Sequence, residues 1–116
     1  MIPDMQALEM IEEWFHIPGV DKANRRSCVF AAFRKIAAHA EMLMENSDYG
    51  TLQRLMQLLL ELDIHCSATV RNAIENITIY RLSHAIDRHA DKEKLFSLFP
   101  EKLAGVVNRY RYSAAI

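Results

Sequence analysis

Two cysteines, three glycines and three prolines are all that 116 residues contain of the residue types that staple or break a chain. Cys28 and Cys66 both stand at apolar positions of helical patterns, so no disulfide is expected and both read as reduced thiols of a cytoplasmic protein. With so little Gly and Pro, turns have few places to form, which favours helices. The N-terminus lacks the basic-then-apolar signature of a signal peptide. The longest nearly uninterrupted apolar run, Leu55 to Leu62, is broken by Gln57 and Glu61 and is far too short for a bilayer, so no membrane span is expected. G-x-S-x-G, P-loop and G-x-G-x-x-G motifs are missing, and Gly19, Gly50 and Gly105 are too dispersed to cradle phosphate, which disfavours nucleotide enzymes. A sequence pI near 6.5 lacks the electrostatic footprint of nucleic-acid binding.

What remains is 51% hydrophobic and 25% charged, an ordinary balance for a globular protein. A chain of this length buries roughly two thirds of its unfolded surface, so one domain over residues 1–116 is expected to fold without a metal or disulfide staple. The net charge of -1 conceals two opposed blocks. Asp4, Glu9, Glu12, Glu13 and Asp21 are unopposed by any base, and the next stretch carries Lys22, Arg25, Arg26, Arg34 and Lys35 with no acid. Such blocks either neutralise each other across a helix pair or form a charged partner surface.

Apolar periodicity divides the chain into helices. Asp4 opens a first helix through Phe15, ended by Pro18 and Gly19. Asp21 opens a long second helix to Glu45, with Val29, Phe33, Ile36, Ala37, Ala40, Leu43 and Met44 in one stripe. Residues 46–50 are the clearest loop. A third helix, Thr51 to Asp63, turns Leu52, Leu55, Met56, Leu59 and Leu62 inward. The segment Ser67 to Arg88 is apolar on two sides: Val70, Ala73, Ile74, Ile77 and Tyr80 on one, Ile79, Leu82 and Ile86 on the other. A helix of that kind is normally surrounded, so this one is expected at the centre of the fold, with Ser67 as its N-cap. Truncating Ile77 is expected to matter and truncating Glu75 is not. A short fifth helix to Phe99 and a last one opened by Pro100 complete an all-α compact bundle of five to six helices.

The stretch Leu52 to Leu82, LQRLMQLLLELDIHCSATVRNAIENITIYRL, has the register of a HEAT-like helical hairpin, an apolar helix and a short polar link followed by a Val-Arg step. VRNAIENITIYRLSH resembles a motif of a family of small, uncharacterised, all-helical bacterial proteins, over about residues 24–88. The resemblance implies fold and a bacterial cytoplasm, and carries no activity. No second copy follows at a period of about 40 residues, so a bundle is expected and a solenoid is not.

Candidate chemistry is sparse. Cys66 follows His65, but adjacent side chains point apart, and a nucleophile needs its base within hydrogen-bond reach. His84 with Asp87, and Glu13 with His16, are isolated half-matches to the Glu-x-x-His pairs of metal bundles. No catalytic, cofactor or metal residues are therefore assigned. Arg81, His84 and Arg88 make the one unusual stripe: three donors a turn apart suit a carboxylate or phosphate cluster, unless acids of this chain such as Glu12 or Glu13 pair with them. The function expected is a non-enzymatic protein-protein interaction module, of immunity or adaptor type by analogy, with a homodimer as one form and neither nucleic acid nor membrane as partner. The alternative is an enzyme or small anionic-ligand binder using the Arg81, His84, Arg88 stripe.

Overall fold

The computed structural model describes residues 2–15 and 26–114, with side chains over 2–13 and 29–110. The expected turn at 16–20, the cap Asp21 and the bases Lys22 and Arg25 lie outside the described residues, as do the side chains of Arg26 and Cys28.

Where the apolar stripe repeats every three or four residues, the chain is helical: α1 (Asp4–Phe15), α2 (Arg26–Glu45) and α3 (Tyr49–His65) come first. Then residues 68–88 run as one helix in three parts: α4 (Ala68–Ala73), a π-helical segment (Ile74–Ile79) and α5 (Tyr80–Arg88). The short α6 (Lys92–Ser97) and α7 (Glu101–Ala114) end the chain. Counting 68–88 once, the bundle has six helices and no strands among the described residues.

The ends have local causes. Asp48 caps α3 by accepting from the Thr51 amide, and the loop before it closes on Ser47, whose φ of 58° is left-handed. Ser67 caps residues 68–88 by accepting from the Val70 amide at 3.3 Å, and its hydroxyl donates to Asp4 at 2.6 Å. The Ile2 amide donates to the His65 carbonyl at 2.7 Å. The start of α1 is thereby sewn to the α3–α4 link.

Two helices share the centre of the fold. α2 packs along α4, the π segment and α5, and also meets α1 and α3, while α7 packs on the π segment and α5, and α6 on α5. The expected stripe of α2, from Val29 to Met44, is buried throughout, as are the five inward residues of α3.

The π segment corrects the expected faces of the central helix. An i→i+5 turn takes one residue more than an α turn, so side chains beyond it shift round the axis. Ile74 and Ile79 are enclosed, whereas Ile77 is half-buried and Tyr80 is 47% exposed, although straight α register aligns both with Ile74. Thr78 goes inside instead, where its hydroxyl donates to the Phe33 carbonyl at 2.9 Å.

Candidate functional site

The residues singled out from the sequence come together on the face where α2 meets residues 74–88. Arg81, His84 and Arg88 line one open groove of about 530 Å³, together with Arg34 and Glu41 of α2 and Asn76, Ile77 and Tyr80. Their spacing of three and four residues on α5 stacks them along one side of that helix, and α2 supplies the opposite wall.

Arg81 has an internal partner, but not the one expected. Its Nε donates to Glu41 Oε1 at 2.5 Å, with Nη2 at 3.5 Å from the other oxygen, so the acid comes from α2 and not from Glu12 or Glu13 of α1. Arg34 and Arg88 make no ion pair among the described residues. His84 packs edge-on against Tyr80 with ring centroids 4.8 Å apart, and Tyr80 meets Tyr110 of α7 in the same manner at 5.1 Å. The Tyr110 hydroxyl donates to Asn76 Oδ1 at 2.6 Å, so α7 props the groove wall from behind. A smaller recess of about 160 Å³ continues past Arg88, between Glu45 and His89.

The groove therefore presents guanidinium groups around an exposed phenol ring. Guanidinium forks fit carboxylates two bonds at a time, and Tyr adds apolar area at low entropic cost. Acid-base chemistry finds less support. Glu41 is committed to Arg81, and the ring of His84 packs edge-on against Tyr80. Among the described residues, no three His, Cys, Asp or Glu side chains converge as a metal site would require. Burial pushes the Cys66 thiol up to about 11, with Asp4 and Asp63 adding to the effect, so little thiolate forms near neutrality.

A second cluster has no counterpart in the sequence reading. Asp63, the last inward residue of α3, is fully buried, and Lys102 of α7 pairs with it. Glu75 of the π segment accepts from Arg109 Nη2 at 3.5 Å, and burial first, then Asp63, push its carboxyl above the ordinary value. The one available signal was that Asp63 follows Met56 and Leu59 by seven and four residues on the apolar stripe.

Fold and grooves define a small all-helical bundle with a basic groove among the described residues. Within that class, the chain belongs to a family described as a domain of unknown function (DUF7674), whose model matches residues 2–113. The match extends well past the 24–88 stretch that carried the resemblance. No curated protein and no solved structure matches the chain.

Proposed function

We propose that this protein is a non-enzymatic binding module that takes an acidic segment of a partner protein into the groove of Arg34, Arg81, His84 and Arg88. The observation that carries this reading is the gathering of three guanidinium groups round one open groove, with only Arg81 committed to an acid among the described residues. Tyr and Arg are the side chains on which protein interfaces most often concentrate their binding energy, and Tyr80 stands between Arg81 and Ile77 on the same wall. An adaptor or immunity partner in a bacterial cytoplasm fits such a surface. A second copy of the chain is one candidate occupant, because Glu9 and Glu13 at the exposed edge of α1 offer the acids that the groove lacks.

The test is binding of a fluorescently labelled peptide rich in Glu and Leu, measured by anisotropy. The Arg34→Glu, Arg88→Glu double variant should abolish it, while Arg54→Glu on the α3 surface should leave it within about twofold, since exposed single charges away from a contact contribute little. Equal binding by both variants, or none by the wild type, sinks the proposal. Displacement of the peptide by citrate or inorganic phosphate alone would favour the small-anion alternative built on Arg81, His84 and Arg88.

A further inference from the structure

Arginines crowd the middle of the groove, but the charge does not stay positive along its length. α2 and residues 74–88 run side by side in the same direction: Phe33 meets Thr78, Glu41 meets Arg81, and Glu45 lines the small recess with His89. Both helices therefore end at that recess, α2 at Glu45 and α5 at Arg88. The last carbonyls of a helix carry about half an elementary negative charge, so two negative ends are gathered in one place. α2 has no basic residue in its last turn to offset its own.

Side chains sharpen the change of sign. In the groove of about 530 Å³, Arg34, Arg81 and Arg88 face one acid, Glu41. In the recess of about 160 Å³, Glu41 and Glu45 face one arginine, Arg88. Glu41 is held by Arg81, whereas Glu45 is exposed and makes no ion pair among the described residues. His89 accepts the Asp91 amide on Nδ1 at 3.0 Å, a bond that only the neutral ring makes, so it adds no positive charge. Met44 and Ala85 supply an apolar lining.

We infer that the recess takes a lysine of the partner protein, next to the acids that the groove holds, so that the surface reads an ordered pair of charges and not acidity alone. The inference rests on the groove reading above. A lysine has the shape for it, since its four-carbon stem lies on Met44 and Ala85 while the ammonium stays in water beside Glu45 and the two helix ends. The neighbouring acid of the partner meets Arg88, which lines both cavities and stands at their boundary. A second copy of this chain docking by α1 fills the groove only, because Asp4–Phe15 contains no lysine or arginine. The recess thus selects a different protein.

Anisotropy with three labelled peptides tests it: a parent rich in Glu and Leu, the parent with a lysine added at the N-terminal end of its acids, and the parent with that lysine at the C-terminal end. One lysine peptide, and only one, should bind roughly two- to fivefold tighter than the parent, the scale of one exposed ion pair. Glu45→Gln should erase that gain and leave binding of the parent within about twofold. Glu45→Lys should reverse it, so that a glutamate in the lysine's place restores the tighter binding. A lysine that gains nothing at either end, gains equally at both, or keeps its gain in Glu45→Gln overturns the recess, while binding of the parent leaves the groove reading standing. If no peptide binds at all, both fall together.

Discussion

Ile74 is fully enclosed and Ile77, three residues on, is half-buried. Truncating Ile74 to Ala leaves a cavity and should cost about 2 to 5 kcal/mol. Ile77→Ala should cost clearly less, and urea unfolding of the two variants checks the order. Equal losses would mean that the π segment does not turn Ile77 outward. Polar residues show why side-chain burial was only partly legible. Composition and period assign a hydrophobic residue to a face, but Asp63 sits on the inward stripe of α3 as an acid, and its ion-pair partner Lys102 comes from α7, which no local pattern brings to it. Glu75 read as an expendable surface residue for the same reason. The Cys66 thiol was legible as inert, and at neutral pH it should resist iodoacetamide until the protein is unfolded, as peptide mapping by mass spectrometry would show. Burial also lowers the His39 value, so its contribution is present above the ordinary 6.5 and is lost as pH falls through the folded value. Flattening of the acid-side slope of melting temperature in His39→Gln is the expected outcome.

At the scale of elements, the ends of helices decide more than their middles. Ser67 was legible as an N-cap because a small hydroxyl residue stands before Val70, Ala73 and Ile74, but its second bond, to Asp4 across 63 residues of sequence, was not. Losing both should make Ser67→Ala cost about 1 to 2 kcal/mol, the upper part of the usual range for a cap. Asp48→Ala, which removes a local bond only, should cost about 1 kcal/mol or less. Equal melting shifts would show that the Asp4 contact adds nothing. Ser47 offers a gain instead of a loss. Its left-handed φ of 58° strains an L-residue, and the Asp48 amide reaches back to the Leu43 carbonyl as in a helix stop that glycine usually supplies. Ser47→Gly should raise stability by up to about 1 kcal/mol, the relieved strain being partly offset by the freedom that glycine adds to the unfolded chain. The π segment was invisible at this scale, because a period of 3.6 fits Ile74, Ile77 and Tyr80 as readily as the real faces do.

The whole molecule has a radius of gyration of 13.3 Å. A compact domain of this length is expected at about 13 Å, which agrees with a bundle. The fold class was legible because almost every apolar stripe has a helical period and a buried face. The site was half legible: Arg81, His84 and Arg88 do share a groove, but Arg34, Glu41 and Tyr80 complete it only through tertiary packing. Charge at this scale makes the last prediction. The groove carries arginines on both walls, and the exposed edge of α1 carries Glu9 and Glu13, so two copies can exchange acid for base reciprocally, as a two-fold contact requires. Contacts of that kind are screened at a Debye length of about 10 Å in 0.1 M salt. Light scattering should therefore find a dimer at low salt that dissociates at high salt. The Arg34→Glu, Arg88→Glu variant should be monomeric, and so should Glu9→Lys, Glu13→Lys, because each leaves like charges facing across the contact. An equimolar mixture of the two variants should recover association, since one contact then pairs the unchanged groove with the unchanged acidic edge and the other pairs the reversed groove with the reversed edge, so acid meets base in both. A monomer at every salt concentration, or a mixture that never associates, removes the homodimer and leaves the groove to the acidic segment of a different protein.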